Sequence, residues 1–273
     1  MKIVALITVH NEERMIPACL RHLEHEGLNY FVINDRCTDG TMEYVKIHAG
    51  PGLIGTADMP FEYDHFNLSR TLEFKLAVAR ELDADWLLHL DADELRGSNQ
   101  PNETLAQAIT RIDAEGFNAI NFQEFTFIPT HEDAEHHPAS FNRTMRWYYP
   151  FLPQPLHRLN AWKKQGNEVD LVSDGGHRVH FAGRKVYHQS LHLRHYLYIS
   201  RDHFSAKYKN RIHIGPELEK NWHGWREKAT DAMCYFPPQS AMRPFDPETP
   251  WQLDASSPRT QHMLMDDRPP IPI

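Results

Sequence analysis

A chain of 273 residues with 41% hydrophobic and 24% charged side chains has the ordinary composition of a soluble globular protein and enough length for one sizeable core. Its net charge of −8 is unevenly spread: residues 1–140 carry −14, residues 141–228 carry +9 and residues 229–273 carry −3. The acidic front excludes general nucleic-acid binding, while an acidic front beside a basic back suits a cleft that holds a cation and an anionic substrate together.

Ile3 to Val9 is a nearly continuous β-prone run, the pattern of a strand buried on both faces. The apolar start is too short to span a membrane and no small-residue cleavage site follows it. Cys19, Cys37 and Cys234 are too few and too far apart for a disulfide framework or a zinc site. The expected location is therefore cytoplasmic, with no transmembrane segment; peripheral membrane contact and the oligomeric state stay open. His10-Asn11-Glu12-Glu13 ends the strand, and Ile16, Leu20 and Leu23 mark a helix stopped at Gly27. Tyr30 to Ile33 is a second strand with Asn34-Asp35 at its end, followed by the turn Arg36-Cys37-Thr38-Asp39-Gly40-Thr41. A strand-end acid such as Asp35 is placed to accept hydrogen bonds from a ribose or base edge. Residues 50–70 read as an irregular loop.

Residues 70–82 predict a helix with Leu72, Leu76, Ala79 and Leu82 on one stripe, leading into Trp86 to Leu90 and the acids Asp91-Ala92-Asp93-Glu94. In α/β sheets ligands bind outside the carboxyl ends of the strands, so Asp91 and Asp93 stand where a hard divalent cation and a diphosphate could meet. Asn102 is expected to cap a helix through Leu105, Ala108, Ile109 and Ile112. The alternation of strands and helices implies a parallel sheet with right-handed crossovers.

These motifs together resemble the nucleotide-sugar-binding half of a family 2 glycosyltransferase of the GT-A fold. The resemblance rests on Val-His-Asn-Glu-Glu at 9–13, Val-Ile-Asn-Asp-Arg-Cys-Thr-Asp-Gly-Thr at 32–41 and Trp-Leu-Leu-His-Leu-Asp-Ala-Asp-Glu at 86–94. It implies an α/β fold with a mostly parallel sheet flanked by helices. Residues 1–130 would form the nucleotide-sugar-binding half, residues 131–228 the acceptor-side half and residues 229–273 a Pro-rich extension. It implies that Thr8, His10, Glu12 and Asp35 hold the nucleoside. Asp91 and Asp93 would bind Mn²⁺ or Mg²⁺ on the donor diphosphate, with His195 as third ligand and His192 and His177 behind it. Arg36-Cys37 departs from the small turn of many relatives. The expected reaction moves a sugar from a nucleotide-sugar donor to a saccharide or other hydroxyl acceptor, by inversion.

The back half is harder to read. Phe117 to Ile128 is β-rich with a phase break at Gln123-Glu124, which predicts a bulge there. Glu124 is taken first as an exposed strand residue and second as a group facing the site. The histidines at 131, 136 and 137 lie in a polar loop whose spacing does not favour a metal site. Arg143, Arg146, Arg158 and the aromatics between 147 and 162 suit phosphate and sugar contacts or plain packing equally. Gly175-Gly176 permits close approach of backbone, Leu191 to Tyr196 reads as a strand, and Ser200 caps a helix carrying Phe204, Lys207 and Tyr208. An inverting transferase needs a base for the acceptor hydroxyl. Asp174 is the first candidate, with Glu124 and His177 as rivals. Asn221 to Trp225 is read as a lid or packing segment. The Pro-rich end, from Pro237, is expected to wrap the surface or stay mobile. Two other classes remain: a nucleotidyltransferase or metal-dependent phosphohydrolase, and a non-catalytic sugar-nucleotide-binding module.

Overall fold

The computed structural model describes residues 1–48, 50–60, 67–209 and 233–266. The expected segment Asn221 to Trp225 and the last prolines lie outside them. The apolar runs form strands: β1 (Ile3–Val9), β2 (Asn29–Asn34) and β4 (Trp86–Leu90). The stretch expected as a loop supplies β3 (Leu53–Asp58), an edge strand whose polar and glycine positions hid it. The four lie in the order β3-β2-β1-β4 and all their pairings are parallel. The crossovers run through α1 (Ile16–His25), α2 (Thr41–His48) and α3 (Leu68–Glu81). The chain is thus an α/β fold with a mostly parallel central sheet flanked by helices.

Alternation along β1 feeds two cores. Ile3, Ala5 and Ile7 pack with Cys19 and Leu23 of α1 and with Ile109 of α4 (Leu105–Ala114), whereas Val4 and Leu6 pack with Leu72 and Leu76 of α3 on the opposite face. Helix α4 is capped by Thr104, not Asn102. Thr104 and Gln107 form a capping box, and Asn102 sits in a turn with φ 57°.

After the acid turn the chain departs from the parallel pattern. Strand β5 (Glu94–Gly97) pairs antiparallel with β9 (Leu191–Tyr196). Strand β6 (Ala119–Phe127) serves two partners in succession. Its first residues pair with β8 (Leu159–Lys163), which lies antiparallel on β4. Its remainder pairs parallel with β9 and antiparallel with β7 (Trp147–Phe151). The register break falls between Ile120 and Asn121, upstream of the expected position, where the strand changes partners. A short helix α5 (Phe141–Thr144) precedes β7, and α6 (Arg201–Lys209) follows β9. Ser200 caps α6 by accepting from His203 N–H at 3.0 Å, and Phe204 and Tyr208 are buried.

Residues 233–266 wrap the second part of the sheet. Strand β10 (Arg243–Pro244) adds to the edge of β7, a position where proline is tolerated. Phe245 enters the main core, and Met263 and Leu264 pack against Tyr149 and Phe204. No helix among the described residues is long and apolar enough to cross a membrane.

Candidate active site

The strand order reverses between β1 and β4, and a cleft opens at their carboxyl ends, the place where such sheets bind ligands. Its cavity volume is about 100 Å³. Thr8, His10, Glu12, Asp35, Asp91, Asp93 and His177 all line it, so positions far apart in sequence meet in one place. Thr8 Oγ1 is buried without a partner among the described residues. His10 Nδ1 lies 2.6 Å from Asp35 O, which ties the end of β1 to that of β2. Asp35 is buried and accepts from Arg36 Nε at 2.8 Å. Arg36 takes the left-handed conformation, φ 55°, that a glycine would adopt at no cost, and Cys37 N–H then closes the turn on Asn34 Oδ1 at 2.9 Å. The Glu12 N–H donates to Thr41 Oγ1 at 2.8 Å.

The cleft wall opposite β1 is the left-handed pair Gly175 (φ 58°) and Gly176 (φ 84°). A Cβ on Gly176 would lie 2.8 Å from His89 Nε2, so the close approach expected of this pair is made to the protein's own imidazole. His89 in turn faces Lys75 Nζ at 2.8 Å. Lys75 is fully buried on the apolar stripe of α3, and burial lowers its pKa to about 8. A lysine within that stripe was the sequence signal for this residue.

The acid turn carries a row of alternating charges. Lys207 Nζ donates to Asp93 Oδ2, which also meets His195 Nε2 at 3.3 Å. His195 Nδ1 lies 2.7 Å from Glu124 Oε1, and Glu124 Oε2 lies 2.7 Å from Arg158 Nε. Arg158 Nη1 lies 3.4 Å from Glu94 Oε1, and Glu94 Oε2 lies 2.6 Å from Arg96 Nη2. Strand pairing builds the row, since Glu94 lies opposite His195 in β5–β9 and His195 opposite Thr126 in β6–β9. Burial alone would discharge His195, but the carboxylates of Glu124 and Asp93 outweigh it and lift its pKa to about 9. Burial likewise opposes charge on Asp93 and Glu124, yet Lys207 and His195 hold the first, and Arg158 and His195 the second, well below the usual range. Asp91 is different. Its side chain is exposed to the cleft and has no hydrogen bond or ion pair among the described residues. The desolvating walls, then the charge of Glu94, raise its pKa.

Several expectations change. Glu124 is 1% exposed, neither a surface residue nor a base open to an acceptor. Asp174 accepts from Arg178 Nε at 2.8 Å and Nη2 at 2.9 Å, and its carboxylate lies 2.6 Å from His180 Nε2. The Arg178 bonds lower its pKa to about 2, and it does not line the cleft. It is a turn-holding residue. His177 is the remaining candidate base. It lines the cleft, its Nδ1 has no hydrogen-bond partner among the described residues, and burial with the nearby Arg158 lowers its pKa to about 4, leaving the imidazole neutral. His192 packs edge-on against Phe125. His136 faces Thr144 Oγ1 at 2.9 Å. The aromatics Tyr148, Tyr149, Phe151 and Trp162 are buried packing, and from that stretch Arg158 alone lines the cleft.

The expected Mn²⁺ or Mg²⁺ ligands do not present a matching donor set. Both His195 nitrogens face carboxylates, whose charge raises its pKa and favours the imidazolium over the free lone pair that a metal needs. The charge of Asp93 is already answered by Lys207 and His195. Among the described residues no group of three or more His, Cys, Asp or Glu side chains is arranged to hold a metal ion.

No protein-family model and no curated protein sequence matches the chain. Among solved structures it is similar to Staphylococcus aureus TarS residues 1–349 in complex with UDP, at 12% identity and a TM-score of 0.42 over 84% of this chain and 73% of that one. It is also similar to the galactosyltransferase LgtC with donor and acceptor sugar analogues, at 14% identity and a TM-score of 0.30 over 46% of each chain. A third is the glycosyltransferase GlyE of Streptococcus pneumoniae TIGR4, at 14% identity and a TM-score of 0.29 over 46% of this chain and 30% of that one.

Proposed function

We propose that this chain is a glycosyltransferase that moves a sugar from a nucleoside-diphospho-sugar to a hydroxyl acceptor, with inversion at the anomeric carbon. The observation that carries the reading is the convergence of Thr8, His10, Glu12, Asp35, Asp91 and Asp93 on one cleft at the sheet's switch point, faced by the cations Lys75, Arg158 and Lys207. The strand-end groups Asp35 and Thr8 offer a nucleoside a buried carboxylate and a hydroxyl without a partner among the described residues, and the cations offer charge to a diphosphate.

In the transfer, the bond between the anomeric carbon and the phosphate oxygen breaks and its electron pair leaves with the nucleoside diphosphate. The acceptor oxygen forms the new bond to that carbon. Its proton passes to neutral His177 and then to solvent. Positive charge fixed beside the departing phosphate stabilises the transition state.

The test is product analysis with a panel of nucleotide sugars and saccharide acceptors. Release of nucleoside diphosphate that depends on the acceptor is expected. His177→Gln is expected to lower kcat by about 10²–10⁴-fold, the range for a lost general base, with the donor KM little changed. Release of pyrophosphate would indicate nucleotidyl transfer, release of sugar phosphate a phosphohydrolase, and binding without turnover a non-catalytic module.

A further inference from the structure

The row of alternating charges ends at Lys207, and that end differs from the rest. An ammonium group has three N–H donors. Lys207 gives one to Asp93 Oδ2 and one to Leu197 O at 3.0 Å. The third has no partner among the described residues, and the side chain lines both the cleft and a neighbouring cavity that shares His10 and Glu12 with it. Within the row, Arg158 and His195 lie between carboxylates on both sides, whereas Lys207 pairs with one carboxylate, has the Tyr208 ring 5.6 Å from its Nζ, and lines the cleft. Asp93 thus holds a cation in the cleft lining, two residues from Asp91, whose carboxylate faces the same space.

We propose that the Lys207 ammonium, fixed by Asp93, is the resident cation that receives the donor diphosphate, in the place where the Asp-x-Asp pattern predicts a divalent ion, so that nucleotide binding needs no metal. This rests on the reading of the cleft as a nucleotide-sugar site. A lysine serves a phosphate as a point charge on a flexible stem, and here the stem is held by α6. As the bond from the anomeric carbon to the phosphate oxygen breaks, the electron pair goes to that oxygen. Lys207 donates a hydrogen bond to the departing phosphate and keeps its proton. Asp93 is then a positioning residue, which acts through Lys207.

The experiment is calorimetric titration with UDP, GDP, CDP, dTDP and ADP, each in excess EDTA and each with Mg²⁺ or Mn²⁺. For the wild-type chain, one nucleoside diphosphate is expected to bind in EDTA with a Kd within about threefold of its value with metal. Lys207→Met is expected to weaken that binding by tenfold or more in EDTA, and Lys207→Arg to keep most of it. Circular dichroism checks that each variant is folded; if Lys207→Met is not, the wild-type comparison decides alone. Binding that vanishes in EDTA and returns with Mn²⁺ or Mg²⁺ overturns the lysine assignment and leaves the nucleotide-sugar reading standing. Absence of binding with and without metal overturns that reading, and this inference with it.

Discussion

The ends of β1 and β2 and the row from Lys207 to Arg96 are both polar and both largely shielded from water, but they are built in opposite ways. Among the described residues, Thr8 Oγ1 at the strand ends has no hydrogen-bond partner and the Asp35 carboxylate meets only its neighbour Arg36. In the row every carboxylate meets two cations: Asp93 meets Lys207 and His195, Glu124 meets His195 and Arg158, and Glu94 meets Arg158 and Arg96. The first region keeps its polar capacity for a ligand. The second spends most of it inside the protein, where the cost of burying each charge is met by its neighbours, and only its cleft-lining cations, Lys207 and Arg158, also face the ligand space. Chemistry is therefore expected to fail on changes in the first and at Lys207, and folding on changes in the interior of the second.

The sharpest way to break this contrast is to remove one member of the row. Arg158→Met leaves Glu124 and Glu94 short of a cation in a dry setting and should cost about 3–5 kcal/mol, the usual penalty for a buried charge left alone; urea unfolding measures it. Asp35→Ala, by contrast, should cost little stability and remove nucleoside binding. An equal loss of stability in both variants would erase the distinction.

The row should also respond to alkali. The His195 pKa is raised to about 9, above the ordinary 6.5, so its contribution is complete below pH 6.5 and is lost as pH rises through 9. The loss is on the order of 3 kcal/mol. Acid acts elsewhere. Burial lowers His22 and His203 to about 3 and His157 to about 2, so the unfolded chain takes up protons below pH 6.5 that the folded chain refuses. Stability should fall with decreasing pH by about 1.4 kcal/mol per unit for each of them. Melting temperatures from pH 4.5 to 10 should form a dome, and a flat profile would show that these burials do not persist in solution.

Smaller effects should come from sites outside both regions. Thr104→Ala removes the capping box of α4 and should cost about 1 kcal/mol. Asp174→Asn loosens a partly exposed ion pair, worth about 1 kcal/mol or less, and should leave turnover unchanged. A collapse of kcat in that variant would return Asp174 to the candidate bases.

The same contrast governs what the sequence discloses. Strand-end positions are local: an apolar run that stops at His10, Asp35 or Asp91 already says where the side chain lies, and all three reach the cleft. The row is not local. Glu94 and Arg96 alternate with Leu95 in a pattern that reads as a polar turn, and only pairing with β9 makes them an interior strand. Glu124 reads as exposed until Arg158 and His195 arrive from distant elements. The lysine on the α3 stripe and the one on the Ser-capped α6 were visible, but their partners were fixed by tertiary structure.

The most direct test of the central claim is a melting-shift panel of UDP, GDP, CDP, dTDP and ADP on the wild-type chain and on Asp35→Ala, with and without Mn²⁺ or Mg²⁺. A ligand at 100 times its Kd adds about 2.7 kcal/mol, a shift of several degrees for a chain of this size. One nucleoside diphosphate is expected to raise the wild-type melting temperature, and the gain is expected to disappear in Asp35→Ala. No shift with any of the five in any condition would contradict the claim.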